Sequence, residues 1–289
     1  MTHTAKLFSS MLFLTGLAIG GCQGVSPSQS MPPGSTYLLH LPGVSGDTVF
    51  DRGWMNALRQ GGAADRVELF DWTCHDPGLG ALQAYARNRH EAVRIAQLIS
   101  ARAAANPTGR IILTAESGGA ALAVWALERL PRDLHVDQVL LVQPALSPGY
   151  DLSLALKHVR EKMYYTSSPG DWLVLGLGTR LFGTSDGRKI DAAGFVGFRS
   201  PPGPYQKLVE VRYEPEWMRW GDFGFHTGGM STAFAFHVLA PLLVKDGRVG
   251  LGIDAEGSLS QARHFLPAAR WVRKNSRSSS AHCSASTPA

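Results

Sequence analysis

Residues 110–130 read RIILTAESGGAALAVWALERL, and two hydrophobic patterns meet within them. The first half is a short apolar run of the kind that forms a buried strand. Residues 118–130 are small or apolar except for Glu128 and Arg129, and the run stops before Pro131, as a helix does. The junction, TAESGGA at residues 114–120, therefore predicts a tight turn from strand to helix with Ser117 at its tip.

Strand-like and helix-like segments alternate on both sides of this turn. Short apolar or alternating runs predict strands at residues 37–41, 66–72, 136–143, 163–166 and 208–213. Longer segments predict helices at residues 50–60, 85–105, 151–160 and 231–244. Because helical crossovers join parallel strands and are right-handed, helices are expected on both faces of the sheet. The sequence thus predicts an α/β fold, with a doubly wound, mainly parallel sheet in a three-layer α/β/α sandwich.

The charge distribution does not favour a nucleic-acid partner. The chain has 289 residues and a formal net charge of +5, but its basic residues are scattered. The densest basic patch lies near the C-terminus, where a solvated tail is the simpler interpretation. This patch contains Arg270, Arg273, Lys274 and Arg277.

The three cysteines, Cys22, Cys74 and Cys283, are too few for a disulfide framework and form no CxxC pair. The run Cys74-His75-Asp76 contains metal-binding residue types. Neighbouring side chains in a strand or turn point in different directions, so they rarely share one ion. We therefore predict no metal site.

The N-terminal residues have the pattern of a secretion signal. Lys6 supplies positive charge, and residues 11–19, MLFLTGLAI, form an apolar run too short to span a bilayer as a stop-transfer helix. The four residues from the end of this run, Ile19-Gly20-Gly21-Cys22, resemble a bacterial lipobox. This resemblance implies that the Cys22 thiol is lipidated and becomes the mature N-terminus; an ordinary signal peptide with a chance cysteine is the alternative.

The predicted organisation has four parts. Residues 1–21 are a lipoprotein signal peptide, residues 22–35 a flexible tether rich in Gln, Gly, Ser and Pro, residues 36–274 the folded domain, and residues 275–289 a disordered tail. We expect the protein at the bacterial cell envelope, anchored to a membrane by lipid on Cys22, or alternatively secreted or periplasmic.

Small residues surround Ser117 where a strained turn needs them. A larger side chain at Ala115 or Gly119 would collide with the neighbouring strand and helix. The segment resembles the nucleophile elbow of the α/β-hydrolase superfamily of serine esterases and lipases, Gly-x-Ser-x-Gly, with Ala115 in place of the first glycine. This resemblance implies that Ser117 is a nucleophile and that the Gly118 N–H binds an oxyanion at a helix N-terminus. The alternative is that Ser117 only caps the helix.

In that superfamily the acid and then the histidine follow the nucleophile in sequence. Asp171 lies on the loop after the predicted strand 163–166 and is the expected acid, with Asp186 and Asp191 as competitors. The histidine is expected after the last strand, where His226 is the one histidine of the loop 214–229. His237 falls in the predicted helix 231–244, where core packing is the simpler interpretation.

The loop after the first predicted strand reads LPGVSG at residues 41–46. In α/β-hydrolases this loop provides the second oxyanion donor, and the Val44 N–H is our candidate. The alternative is a glycine turn with no catalytic role.

Together these elements predict a serine hydrolase that cleaves a carboxylic ester through an acyl-enzyme, without a cofactor. The expected substrate is a small-molecule or lipid-like acyl compound, because residues 172–206 are apolar enough to form a pocket wall or lid, or else fill core beneath a long loop. Two alternatives stay open: a catalytically silent binding lipoprotein and a peptidase or amidase with the same residues. The sequence does not determine the oligomeric state.

Overall fold

The computed structural model describes residues 31–199 and 205–244. Six strands form one sheet: β1 (Thr36–Leu41), β2 (Arg66–Leu69), β3 (Arg110–Glu116), β4 (Val136–Val142), β5 (Val159–Ser167) and β6 (Leu208–Arg212). Their order is β2-β1-β3-β4-β5-β6, and every neighbouring pair is parallel. The chain therefore winds outward in both directions from β1 and β3, as a doubly wound sheet does.

The longer helices connect consecutive strands. They are α1 (Val49–Gln60), α2 (Leu79–Gln83), α3 (Tyr85–Ala105), α4 (Gly119–Leu127) and α5 (Ser153–Lys157). Between β5 and β6 lie a π-helical turn (Trp172–Gly178), α6 (Thr179–Phe182) and α7 (Ala193–Val196). After β6 come 3₁₀ turns at Pro215–Trp220 and Gly228–Met230, then α8 (Thr232–Phe234), a second π-helical turn (Ala235–Leu239) and α9 (Ala240–Leu243).

Alternate strand residues face two separate cores, which explains why the central strands are almost entirely apolar. Leu39 and Leu113 pack with α3 and α4 on one face. Their neighbours Leu38 and Ile112 pack with α1 and residues 234–243 on the other. The predicted three-layer α/β/α sandwich is confirmed.

Several predicted elements differ in extent; the strand predicted over residues 66–72, for example, ends at Leu69, and two helices differ for identifiable reasons. The helix predicted over residues 151–160 is shorter because Val159 already pairs with Val136 of β4, so β5 begins there. The helix predicted over residues 231–244 is interrupted by a π-helical turn before Pro241. Proline has no N–H to donate to the preceding turn, so the regular hydrogen-bond ladder cannot continue through it.

The domain begins slightly before residue 36. Met31 packs against the core, and Ser35 accepts a hydrogen bond from the Asn106 side chain at its backbone carbonyl, at 3.2 Å. These residues belong to the predicted tether. Its residues 22–30, including Cys22, lie outside the described residues, as do the predicted signal peptide, residues 245–274 of the predicted domain and the predicted tail. Within the described ranges, no helix is both long and apolar enough to cross a bilayer.

Candidate functional site

The carboxyl ends of the parallel strands lie at one edge of the sheet, and the loops that leave them converge there. The strand order switches direction between β1 and β3, and open α/β sheets typically bind ligands at such a switch point. Val44 follows β1 and Ser117 follows β3. Asp171 follows β5, and His226 follows β6.

Ser117 lies in a strained turn between β3 and α4. Its φ is +48°, a left-handed value that is uncommon for serine. The turn is fixed from both sides, because the Ser117 N–H donates to Val142 O at 2.9 Å and the Ala145 N–H donates to Ser117 O at 3.0 Å. A Cβ atom at Gly119 would lie 2.4 Å from Pro42 O, so the close approach of α4 to the end of β1 requires glycine there.

The structure brings the three predicted residues into one hydrogen-bonded chain, hereafter the Ser-His-Asp set (Ser117, His226 and Asp171). His226 Nδ1 lies 2.6 Å from Asp171 Oδ2, and His226 Nε2 lies 3.0 Å from Ser117 Oγ. A carboxylate at Nδ1 requires the ring to donate there, which leaves Nε2 to accept the serine O–H. Both distances fall within the range that proton transfer needs.

The acid of this set is held firmly. Asp171 is only 1% exposed, and its Oδ1 accepts a hydrogen bond from the Leu175 N–H at 3.3 Å, which caps the π-helical turn. The competing acids face other partners: Asp186 accepts two hydrogen bonds from Ser147, and Asp191 pairs with Arg180.

The histidine that was expected to pack in the core does not do so. His237 is half-buried and stacks on the Trp220 ring with their centroids 3.8 Å apart. The π-helical turn that contains His237 changes the helical periodicity, so its side chain lies at the side of the helix rather than in the core.

Electrostatics favour a charged imidazole at His226, whereas burial makes the anionic form of Asp171 less favourable. Burial alone would lower the pKa of His226, but its hydrogen bond to Asp171 and the negative charges of Asp171 and Glu116 outweigh burial and raise that pKa. Burial raises the pKa of Asp171, and the His226 hydrogen bond and charge oppose this. The imidazolium that forms during proton transfer is therefore stabilised.

The two predicted oxyanion donors lie on adjoining segments. A Cβ atom at Gly118 would be 3.1 Å from Val44 Cγ1, so the loop after β1 directly contacts the start of α4. Within residues 31–199 and 205–244, neither the Gly118 N–H nor the Val44 N–H donates to a backbone carbonyl. Two backbone donors beside a nucleophilic oxygen can bind a developing negative charge.

Two further residues at this edge were missed by the sequence analysis. Glu116 immediately precedes Ser117, and its carboxyl group packs so closely on Gly43 that a Cβ atom there would overlap it. Burial of this carboxyl group raises the pKa of Glu116 to about 7. Gln143 immediately follows β4 and contacts Asp171. The sequence signal that could have identified Glu116 and Gln143 is their position at the carboxyl ends of predicted strands.

The described residues contain no group of three or more His, Cys, Asp or Glu side chains placed to hold a metal ion. The site presents a serine hydroxyl hydrogen-bonded to an imidazole, a buried carboxyl group behind that imidazole, and two backbone N–H groups that donate to no backbone carbonyl of the described residues. This arrangement can add a serine oxygen to a carbonyl carbon and stabilise the resulting oxyanion.

No protein-family model matches the chain, and no curated protein matches it. Among solved structures, the chain is similar to a cutinase-like protein from Cryptococcus sp., with 15% identity and a TM-score of 0.33 over 72% of this chain and 95% of that one. It is also similar to the esterase domain of a Rhodothermus marinus protein, with 14% identity and a TM-score of 0.39 over 73% of this chain and 86% of that one.

Proposed function

We propose that this protein is a serine hydrolase that cleaves carboxylic esters through an acyl-enzyme. The observation that carries the proposal is the hydrogen-bonded Ser-His-Asp set, whose serine lies on a strained turn next to two backbone N–H groups that donate to no backbone carbonyl of the described residues. The three groups lie on separate loops, and a purely structural role would not require them to meet with this geometry.

In the proposed reaction, Ser117 Oγ attacks the acyl carbonyl carbon while its proton passes to His226 Nε2. The carbonyl oxygen becomes an oxyanion held by the Gly118 and Val44 N–H groups. His226 then gives the proton to the departing alcohol, and the C–O bond of the ester breaks. A water molecule, deprotonated by His226, attacks the acyl carbon; the bond to Ser117 Oγ breaks, His226 returns the proton to Oγ, and the carboxylic acid leaves.

Exposed apolar side chains beside the site support an acyl group of apolar character. Trp172 follows Asp171 directly and is 56% exposed, and Phe225 precedes His226 and is 62% exposed. Further exposed residues continue this surface along the π-helical turn and α6: Leu173, Val174, Leu177, Leu181 and Phe182. The Gln83 side chain of α2 donates to Phe182 O at 3.3 Å, and Leu82 lies against Gly118, so this surface reaches the nucleophile.

The test is hydrolysis of p-nitrophenyl esters of increasing acyl length, with the matched anilides as amide substrates. We expect ester turnover that Ser117→Ala reduces at least about a thousand-fold while the circular dichroism spectrum is unchanged. Faster anilide than ester cleavage would favour a peptidase or amidase. A folded wild type that hydrolyses neither series would leave a binding protein as the better account.

We also propose that lipid on Cys22 anchors the protein to a membrane of the bacterial envelope. Cys22→Ala should abolish incorporation of an alkyne-labelled fatty acid and move the protein from the membrane to the soluble fraction. Unchanged incorporation in this variant would contradict the anchor.

A further inference from the structure

Gln143 joins the two loops that carry the acid and the histidine. Its Nε2 group donates to Asp171 Oδ2 at 3.2 Å and to Phe225 O at 3.0 Å. Phe225 immediately precedes His226, so one amide group contacts both the acid and the backbone beside the base. Gln143 is 3% exposed, and its own N–H donates to Thr166 Oγ1 at 2.8 Å.

The orientation of this amide is determined by its neighbours. Both atoms around Nε2, Asp171 Oδ2 and Phe225 O, are acceptors, so a flipped amide would place its oxygen against two other oxygens. Its Oε1 atom has no hydrogen-bond partner among the described residues. A buried acceptor without a partner costs stability, so the gain at this position lies in the NH₂ group.

Gln143 itself is held in an unusual conformation. Its φ is +45°, although the next residue is Pro144, and a residue before proline normally adopts an extended conformation. Two glycines bring the loops against it: a Cβ atom at Gly194 would lie 2.8 Å from Gln143 Cα, and one at Gly229 would lie 3.2 Å from Gln143 Oε1.

The two loops do not need Gln143 merely to stay together. Ser168 Oγ, on the acid-bearing loop, already donates to Gly224 O, on the histidine-bearing loop, at 2.6 Å. What Gln143 adds is a hydrogen bond to the same carboxylate oxygen that His226 contacts.

We infer that Gln143 is a positioning residue that holds Asp171 in register with His226 and tunes the basicity of the pair. This inference rests on the proposed function. The NH₂ group presents a positive dipole to Asp171 Oδ2, which lowers the affinity of the neighbouring imidazole for a proton. Without it, His226 retains its proton to higher pH, and the acid and base are less well aligned.

The test compares Gln143→Leu with Gln138→Leu in the full chain. Gln138 is a matched control because it lies on β4, the strand that Gln143 follows, and is likewise buried, at 4% exposed. Like Gln143, it donates from Nε2 to a backbone carbonyl and leaves Oε1 without a partner among the described residues. Its partner is Leu242 O, away from the Ser-His-Asp set. Gln143→Met provides a second variant of similar length if the leucine variant fails to fold.

Two readouts are measured. In an NMR titration of the His226 ring, assigned with a His226→Gln variant, Gln143→Leu should raise the His226 pKa by roughly half a unit to one unit. The acidic limb of kcat/KM for ester hydrolysis should move to higher pH equally, and kcat should fall about 10-fold to 100-fold with little change in KM. Gln138→Leu should show neither effect.

The inference would be overturned if folded Gln143→Leu and Gln143→Met both had the wild-type His226 pKa and the wild-type pH profile. Equal shifts in the Gln138 variant would also overturn it, because the effect would then be general destabilisation. A wild type without hydrolysis would refute the proposed function alone, since the NMR titration still decides whether Gln143 tunes His226.

Discussion

The turn around Ser117 depends on the absence of a side chain at Gly119. A Cβ atom there would lie 2.4 Å from Pro42 O and 2.7 Å from Leu41 O. Ordinary C···O contacts are about 3.3 Å or longer, so Gly119→Ala creates an overlap of about 0.9 Å. Both contacts are backbone atoms, so the start of α4 and the end of β1 must separate by nearly that distance.

This separation has two measurable consequences. Overpacking of this kind costs about 1–3 kcal/mol, which urea unfolding of Gly119→Ala should detect as a lower free energy of unfolding. Displacing Ser117 and the Val44 loop by about 1 Å should lower kcat/KM for a p-nitrophenyl ester about 100-fold.

Gly80→Ala is the control for this prediction. Gly80 lies in α2, and a Cβ atom there has no neighbour within 4 Å. Alanine is the better helix former, so this variant should be as stable as wild type or about 1 kcal/mol more stable, with unchanged activity. The reasoning is refuted if Gly119→Ala behaves like Gly80→Ala in both assays.

Three further changes probe the charges of the site. Asp171→Asn should reduce kcat about ten-thousand-fold, measured under saturating ester, because the amide no longer holds His226 in the tautomer that accepts the Ser117 proton; a loss below ten-fold would contradict that role. Glu116→Gln removes a negative charge that raises the pKa of His226, so the acidic limb of kcat/KM should move to lower pH, and a shift to higher pH would contradict the assignment. Burial raises the pKa of Asp222 to about 6 from an unperturbed 3.8. Ionisation of this buried carboxyl group therefore destabilises the folded state increasingly as the pH rises between these two values. Asp222→Asn should therefore be roughly 2 kcal/mol more stable than wild type at pH 8 and equal to it at pH 4 in urea unfolding, and an equal gain at both pH values would be inconsistent.

The fold and the positions of Ser117, Asp171 and His226 were predictable because each depends on a local pattern. Buried strands separated by helices specify a parallel sheet, and parallel strands place all their carboxyl ends at one edge. The loops that leave these strands begin at this edge, so they can bring their residues together there wherever they lie in the sequence. This is why His226 lies 3.0 Å from Ser117 across 109 residues.

Gln143 could not be assigned in the same way. It also follows a strand directly, but a glutamine has no characteristic chemistry that marks it as a site residue. Its two acceptors, Asp171 and Phe225, are 28 and 82 residues away, and only the folded chain shows that one amide contacts both. The raised pKa of Glu116 likewise depends on burial against Gly43, which no local pattern indicates.

The end of the last helix was unpredictable for a different reason. Residues 231–244 are apolar at helical spacing, and this pattern describes which face is buried but not how the hydrogen bonds are arranged. The π-helical turn before Pro241 rotates His237 out of the core and onto Trp220.

The central claim is that Ser117 is an activated nucleophile. The most direct measurement is labelling of the purified chain with a fluorophosphonate, followed by mass spectrometry of the modified peptide, in wild type, Ser117→Ala and His226→Ala. We predict one adduct on Ser117 in wild type, none in Ser117→Ala and strongly reduced labelling in His226→Ala. A folded wild type that is not labelled, or that is labelled at another residue, would contradict the claim.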